Sequence, residues 1–167
     1  MICQGKVFKF GDNINTDFII SGRYKFSITD MSKLCRHIFE DIRPNFYEEI
    51  ESAKSIIVAG ANFGMGSSRE QAPWVIKEAG IFCVVAKSFA RIFYRNAFNI
   101  GLALIEADTD SISEADFLEI DLKKGVIKNK SRNIQTQFYP WNKFQLELIK
   151  NHGIINYLEK YKEFKIT

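Results

Sequence analysis

Residues 55–73 read SIIVAGANFGMGSSREQAP, and this stretch decides the fold. Its first five residues form an apolar run that is typical of a buried strand. A glycine-rich turn follows at residues 60–66. Because Pro73 has no N–H group, it must lie in the first turn of any helix that contains it, so a helix is expected to begin at about residues 71–73. The stretch therefore predicts a strand, a turn and a helix in direct succession.

The chain continues with the same alternation of elements. Residues 81–86 are a second apolar run and predict another buried strand, and residues 102–105 predict a third. Between these two strands, apolar side chains recur at helical spacing at Phe89, Ile92, Phe93 and Ala97. The resulting β-α-β-α-β order is typical of a parallel sheet with helices packed against it.

The segments on either side of this unit have a different character. Toward the amino end, residues 7–10 and 18–20 predict short strands, and residues 31–51 predict two short helices separated at Pro44. Toward the carboxyl end, three stretches alternate like antiparallel strands, and a helical region interrupted near His152 follows them. These four stretches are residues 117–122, 126–128, 134–138 and 142–162. The predicted fold class is α/β.

Composition and charge limit the functions that the chain can have. With 167 residues, 46% of them hydrophobic, the chain can bury one core, so we expect a single domain over residues 1–167. The 23 Lys and Arg residues and the 20 Asp and Glu residues are scattered along the sequence, so nucleic acid is not an expected partner.

The cysteines and the hydropathy of the sequence indicate whether the chain binds a metal and in which cellular compartment it lies. Cys3, Cys35 and Cys83 have no second cysteine or histidine at ligand spacing, so we expect no metal site in this chain. No apolar stretch approaches the roughly 18 residues that a membrane span requires, so no membrane association is expected. A reducing cytoplasm fits these features best.

The glycine-rich turn is the expected site of chemistry, because α/β proteins usually bind ligands directly after such a strand. Gly64 and Gly66 are the positions where we expect the backbone to approach a ligand closely. Unpaired amides at a helix start favour an anion, and Arg69 adds a planar fork of donors suited to a carboxylate or phosphate. The same positive surroundings would stabilise an alkoxide at Ser67, which makes its hydroxyl a candidate base.

A purely structural role for the two serines of this turn is also open. Ser67-x-x-Glu70 and Ser68-x-x-Gln71 both match a capping box. In that interpretation, one of the serine hydroxyls only caps the helix that follows.

A nucleotide-binding module that uses residues 60–66 is the alternative from another functional class. The spacing of the three glycines matches that of short-chain dehydrogenases. Against this alternative, the next predicted strand, residues 81–86, ends without an acidic residue to hold a ribose.

Four motifs follow one another along the chain at characteristic separations. They are GDNINTD at 11–17, GRY at 22–24, GSSRE with AP at 66–73, and KSFARIFYRN at 87–96. In order and spacing these motifs resemble the small subunits of 3-isopropylmalate dehydratase, over most of the chain from Gly5 to Glu106.

The resemblance implies a three-layer β/β/α swivel domain like the last domain of aconitase. It implies a hydro-lyase that interconverts 2-isopropylmalate and 3-isopropylmalate in leucine biosynthesis. Activity would require a large subunit that carries a 4Fe–4S cluster, in a heterodimer or heterotetramer, and this chain would hold no cofactor. By the same resemblance, Ser67 is the base that removes the carbon-bound proton, Arg69 grips a substrate carboxylate, and Ser68 assists through hydrogen bonds.

Two residues depart from the family pattern. The family commonly has cysteine at the position of Met65 and histidine at that of Gln71, and a glutamine side chain cannot carry a titrating proton. These departures leave open a related hydro-lyase for another 2-hydroxy di- or tricarboxylic acid, namely a homoaconitase, a citramalate dehydratase or a 2,3-dimethylmalate dehydratase.

The loop after Tyr24 is expected, by the same resemblance, to contact the variable group of the substrate. Phe26 suits an apolar substituent such as isopropyl, whereas Lys25 suits an additional carboxylate or simply lies in solvent. Arg23, in the matched loop, is expected either to help hold the substrate or to be an exposed surface residue.

Three further charged residues have roles that the sequence leaves open. Asp17 ends the first motif, where it is expected to form a turn or to orient the loop backbone. Arg91 and Arg95 are one helical turn apart on one face, where they could bind anions or pair with acids such as Glu70.

Overall fold

One mixed sheet of seven strands dominates the computed structural model, which describes residues 1–164. The strands are β1 (Ile2–Lys9), β2 (Ser55–Ala59), β3 (Cys83–Ala86), β4 (Ala103–Glu106), β5 (Phe117–Asp121), β6 (Val126–Asn129) and β7 (Ile134–Gln137). They lie in the order β4-β3-β2-β1-β5-β6-β7 across the sheet. Strands β1 to β4 are parallel, and β5, β6 and β7 continue from β1 with antiparallel pairing.

The helices are short. They are α1 (Thr16–Ile19), α2 (Gly22–Lys25), α3 (Met31–Leu34), α4 (Phe46–Glu49), α5 (Gln71–Glu78), α6 (Arg91–Ile100), α7 (Lys143–Lys150) and α8 (Ile154–Tyr161), with a 3-10 turn at Cys35–His37. The longest helix in residues 1–164 has ten residues, and none is long and apolar enough to cross a bilayer.

Two hydrophobic cores cover the two faces of the parallel strands. On one face, Phe8 and Ile57 pack beneath Val75 of α5 and Phe93 of α6. On the other face, the core that contains Ile56 also contains side chains of β5 and β6, because the sheet curls back over the parallel strands. The three layers are thus antiparallel strands, parallel strands and helices, which confirms the predicted β/β/α architecture.

The burial of the strands explains their sequence patterns. Every residue of β2 is buried, because β2 has strands on both sides and a core on both faces. β5 instead alternates between buried and more exposed positions, since only one of its faces is covered. The continuous apolar run at Ser55–Ala59 and the alternation at Phe117–Asp121 are the direct result.

The predicted strand at residues 18–20 is wrong. The chain forms the single-turn helix α1 there, and the Asn15 side chain caps it by accepting a hydrogen bond from the Asp17 N–H at 2.9 Å. Ile19 and Ile20 are fully buried in the core. A local cap and tertiary packing therefore outweigh the strand preference of these β-branched residues.

The other predicted elements are present with shifted ends, although the first helix predicted in residues 31–51 is only the single turn Met31–Leu34 followed by a 3-10 turn, and residues 38–45 are not helical. The first residue of α5 is Gln71, which leaves Pro73 in the first turn of the helix. Helices α3 and α4 lie on either side of Pro44, and α7 and α8 are separated by a short turn at residues 151–153. The strand–turn–helix unit that carries the candidate site is therefore formed as predicted.

Candidate active site

The first part of the glycine-rich turn is held by the protein's own acceptors. The N–H groups of five successive residues, 60 to 64, donate in turn to the Gly11 carbonyl (3.1 Å), Asp12 Oδ1 (2.6 Å), Ser88 Oγ (2.9 Å), the Ser88 carbonyl (3.0 Å) and the Ile14 carbonyl (2.8 Å). The unpaired amides expected at the helix start do not lie at these five positions, because each of the five N–H groups has an acceptor. Since a nucleotide phosphate would need such amides, this geometry argues against a nucleotide-binding turn.

The glycines of the turn fit against protein atoms. Gly64 and Gly66 have φ angles of +80° and +93°, which side-chain-bearing residues rarely adopt. A Cβ atom at Gly64 would lie 2.2 Å from Cγ of Phe93, and one at Gly66 would lie 2.4 Å from Oδ1 of Asn15. Both glycines are therefore required by the close packing of the turn.

At the end of the turn, hydrogen bonds hold the backbone of Ser67, whereas the side chains of Ser67 and Ser68 are exposed. The Ser67 carbonyl accepts hydrogen bonds from Thr16 Oγ1 at 3.1 Å and from the Arg69 N–H at 2.7 Å. Ser67 and Ser68 are both exposed, and neither hydroxyl has a hydrogen-bond partner in residues 1–164. The N–H groups of Gly66, Ser67 and Ser68 also lack partners within this part of the chain. Three backbone N–H groups and two hydroxyls at residues 66–68 therefore remain available to a ligand within the described part of the chain.

The capping interpretation of the two serines is wrong. The cap residue of α5 is Glu70, and its side chain makes no capping hydrogen bond. A helix capped by Ser67 would place Pro73 in its interior, where the proline ring would remove a backbone hydrogen bond. The helix therefore begins too late for either serine to cap it.

Arg69 lies beside the serines with its guanidinium anchored on one side. Its side chain is only 13% exposed, and Nη1 contacts the Asp17 carboxylate and donates to the Ile20 carbonyl at 3.0 Å. Nε and Nη2 make no hydrogen bond in the described residues. The guanidinium is thus oriented by the amino-terminal segment and retains donors for a ligand.

The contact between Asp17 and Arg69 is a feature that the sequence interpretation missed. Asp17 was expected to act on its own loop, but its carboxylate reaches a residue 52 positions away and is 48% exposed. The sequence signal that could have predicted this contact is that Asp17 and Arg69 both belong to the four family motifs, at residues 11–17 and 66–73. The two motifs meet because Thr16 donates its N–H to the Met65 carbonyl at 2.8 Å, alongside an isolated parallel bridge between Asn15 and Met65.

In the loop at residues 22–26, the predicted substrate contact Phe26 lies near Arg69, whereas the predicted contact Arg23 is paired with another residue. A Cβ atom at Gly22 would lie 3.6 Å from the Phe26 ring and 3.9 Å from Nη2 of Arg69, so these two side chains lie close to the same point. Phe26 is 82% exposed, and Lys25 Nζ lies 5.5 Å from the centre of its ring. Arg23 instead pairs with Asp41.

The sequence and the fold both have close counterparts among known proteins. The aconitase C-terminal domain family matches residues 29–110. The chain is 51% identical to the 3-isopropylmalate dehydratase small subunit 1 of Thermotoga maritima over 162 residues, which is 96% of this chain and 97% of the relative. It is 50% identical to the small subunit of Wolinella succinogenes over 157 residues, 93% of each chain. The chain belongs to the 3-isopropylmalate dehydratase small-subunit family.

The same family provides a solved structure. The crystal structure of a 3-isopropylmalate dehydratase chain from Methanocaldococcus jannaschii superimposes with a TM-score of 0.91 at 46% identity, covering 97% of this chain and 96% of that one. The resemblance inferred from the four motifs is therefore confirmed, and so is the aconitase-type swivel fold.

The two residues that depart from the family pattern, Met65 and Gln71, flank residues 66–70, which we call the serine segment because they contain Ser67 and Ser68. Met65 is partly buried, and its sulfur accepts a hydrogen bond from Asn62 Nδ2 at 3.4 Å. Gln71 is the first residue of α5, and its side chain makes no hydrogen bond in residues 1–164. Neither residue contacts the Asp17–Arg69 pair through a hydrogen bond.

The side chains of residues 1–164 do not form a binding site suited to an iron–sulfur cluster. Cys3, Cys35 and Cys83 are buried as free thiols. Residues 1–164 contain no group of three or more His, Cys, Asp or Glu side chains arranged to bind a metal ion. A cluster held by several cysteine thiolates therefore has no matching donor set in the described part of this chain.

Proposed function

We propose that this chain is the small subunit of a 3-isopropylmalate dehydratase, a hydro-lyase that interconverts 2-isopropylmalate and 3-isopropylmalate in leucine biosynthesis. The observation that carries the proposal is the state of Ser67. Two hydrogen bonds fix its carbonyl, while its hydroxyl is exposed, has no partner in residues 1–164 and precedes the oriented Arg69 by two positions. The names of the near full-length relatives agree with this function and favour none of the alternative substrates.

Ser67 is the proposed base. A serine hydroxyl is a weak base because its alkoxide is costly in water, so the site must stabilise the negative charge. The N–H groups of Gly66, Ser67 and Ser68, which have no acceptor in residues 1–164, and the guanidinium of Arg69 supply positive potential next to this residue. The alkoxide form of Ser67 then removes the carbon-bound proton of the substrate and returns it in the reverse step.

Arg69 and Ser68 are the proposed contacts of a substrate carboxylate. Nε and Nη2 of Arg69, which have no acceptor in the described residues, are suited to a planar oxyanion, and the exposed Ser68 hydroxyl can add a further hydrogen bond. Asp17 and the Ile20 carbonyl hold the guanidinium in place while this occurs. The carboxylate is thereby fixed relative to the neighbouring base.

The loop at residues 22–26 is proposed to contact the variable group of the substrate. Phe26 offers an exposed apolar ring next to Arg69, which suits the isopropyl group. Lys25, beside that ring, lies at the edge of the same contact. Arg23 remains a proposed substrate contact, although binding would require it to exchange Asp41 for a substrate carboxylate.

A large subunit is the proposed partner, in a heterodimer or heterotetramer in the cytoplasm. It would carry the 4Fe–4S cluster, whose iron supplies a Lewis acid for the departing hydroxyl group of the substrate. The family's small-subunit names and the lack of a cluster-binding set in residues 1–164 support this division. This chain then contributes the base, the carboxylate contacts and the cover of the site.

The test is reconstitution with the large subunit of the same organism. Ser67→Ala should reduce turnover of 2-isopropylmalate by about 10²–10⁴-fold, because general-base assistance is lost. Exchange of the substrate's carbon-bound hydrogen with solvent deuterium should fall in parallel. Association of the subunits should be unchanged, because only the side-chain hydroxyl is removed.

Ser68→Ala is the matched control for this experiment. It removes a hydroxyl from the neighbouring position, which is also exposed, and should weaken substrate binding while hydrogen exchange continues. Full turnover by the Ser67→Ala enzyme would refute the assignment of the base.

A further inference from the structure

A second concentration of unused positive charge lies outside the serine segment. Arg91 and Arg95 lie one turn apart on α6, both are exposed, and neither forms an ion pair in residues 1–164. In particular, the pairing with Glu70 that the sequence suggested is absent. Two guanidinium groups one helical turn apart repel each other, so this arrangement favours a negatively charged partner.

An open cavity of about 410 Å³ lies at these arginines. It is lined by Phe89, Arg91, Tyr94, Arg95 and Glu106. Burial, reinforced by the charge of Glu106, raises the pKa of the Tyr94 hydroxyl, which therefore remains a hydrogen-bond donor at neutral pH. Glu106 places one acidic group at the cavity, so its lining combines two cations, one anion and two aromatic rings.

This cavity is on the same side of the molecule as the candidate active site. The segment that leads into α6 forms a parallel bridge from Phe89 to Phe63 of the glycine-rich turn, and the Ala90 N–H donates to the Phe63 carbonyl at 2.9 Å. Both the turn and the start of α6 follow the carboxyl ends of parallel strands. A partner that covers Ser67 therefore also comes close to the start of α6.

The composition of this surface is that of a protein interface. Arginine and aromatic residues are enriched in the regions that contribute most binding energy. Ile92, between the two arginines in sequence, adds an apolar side chain that is 54% exposed. Since the cavity is open at the surface, a protruding side chain of another polypeptide can enter it.

We propose that Arg91 and Arg95 form a docking site for an acidic segment of the large subunit, whose Asp or Glu side chains enter the cavity beside Tyr94. This inference rests on the proposed function, because it assumes that a large subunit covers Ser67. The contact fixes the orientation of the swivel domain over the active site. It takes no part in proton transfer.

The test is the dissociation constant of the full-length chain and its separately purified large subunit. Arg91→Glu with Arg95→Glu should raise that constant at least tenfold, since like charges would then meet at the interface. The affinity of the unmodified chain should also fall with added salt, and less steeply once Arg91 and Arg95 are replaced by Gln.

The matched control is Lys123→Glu with Lys124→Glu. These lysines are exposed in the turn between β5 and β6 and undergo the same change in charge. Because Asp121 pairs with Ile2 at the amino end of β1, this turn lies at the edge of the sheet opposite the candidate site. The control should change the dissociation constant less than twofold.

The outcomes separate this inference from the proposed function. If the unmodified complex is active and the Arg91→Glu, Arg95→Glu chain binds within twofold of it, the docking site is refuted while the function stands. If the unmodified chain binds the large subunit through these arginines but the complex does not isomerise isopropylmalate, the function is refuted and the docking site stands. Should the glutamate variant fail to fold by circular dichroism, the glutamine variant decides, and unchanged affinity together with an unchanged salt dependence refutes the site.

Discussion

Two aspartate–arginine pairs in this protein differ in which partner is buried. In the candidate site, the cation is the buried member, since the Arg69 side chain is 13% exposed and Asp17 is 48% exposed. In the antiparallel part of the sheet, the acid is the buried member, with Asp116 at 8% and Arg132 at 47%. The same two residue types are thus used in opposite orientations.

The surroundings of the two carboxylates explain the difference. Asp116 accepts hydrogen bonds from the Ser113 N–H at 2.8 Å, Asn129 Nδ2 at 2.7 Å and Arg132 Nε at 2.9 Å, which tie the start of β5 to the turn after β6. Asp17, in contrast, contacts Arg69 from the solvent side. A buried acid with several donors is a structural element, whereas a buried cation with an exposed acid can accept a second anion such as a substrate carboxylate.

Among the changes at these two pairs, replacing Arg69 should have the largest effect on catalysis. We expect Arg69→Lys to lower kcat/KM for 2-isopropylmalate by about 100-fold, or about 2.7 kcal/mol, because a lysine lacks the bidentate donor fork. Steady-state kinetics of the reconstituted enzyme measures this. Arg132→Lys is the matched control and should leave the kinetics unchanged; an equal loss in both variants would remove the proposed distinction between the pairs.

Removing the buried acid should have the largest effect on stability. Asp116→Ala leaves the buried Asn129 amide and the Ser113 N–H without their acceptor, so we expect the free energy of unfolding to fall by about 2–3 kcal/mol. Urea denaturation provides the measurement. The matched change Asp17→Ala should cost less than about 1 kcal/mol, because this pair is more exposed on its acidic side.

A charge-only change at Asp17 should have a smaller effect, on substrate binding. Asp17→Asn keeps a similar side-chain shape while removing the negative charge next to Arg69, so we expect KM to fall by about two- to fivefold. Asp17→Ala should instead raise KM, because the guanidinium is no longer held. If both variants had the same KM as the unmodified enzyme, Asp17 would neither compete with the substrate nor orient Arg69.

The smallest effect should be a pH dependence of stability that comes from Asp116. Burial works to raise the pKa of Asp116, but the hydrogen bonds from Ser113, Asn129 and Arg132 outweigh it and hold the pKa below its ordinary value of 3.8. Such a group stabilises the folded state fully above the ordinary value and loses this contribution as the pH falls through the lower folded value. The stability advantage over Asp116→Asn should therefore narrow below about pH 3.8; an advantage that stays constant in acid denaturation would contradict this assignment.

Local patterns were sufficient for the buried strand β2 and for the start of the helix that follows it. The run at Ser55–Ala59 and the constraint from Pro73 predicted β2 and the start of α5, because both signals depend on neighbouring residues alone. The same reasoning failed at residues 18–20, where the Asn15 cap and burial of Ile19 and Ile20 decide the conformation. For the site, the Pro73 constraint predicted that Ser67, Ser68 and Arg69 precede the helix, and they do.

What the sequence by itself determined is therefore the parallel strand–turn–helix core, the family and the set of candidate residues. The tertiary structure alone decided which groups are free to act: the amides of residues 60–64 are occupied, the Ser67 hydroxyl is open, and Asp17 orients Arg69. The physical reason is the sequence separation of these contacts. Hydrogen bonds and ion pairs between residues about 50 positions apart depend on how the chain packs, and no local periodicity encodes them.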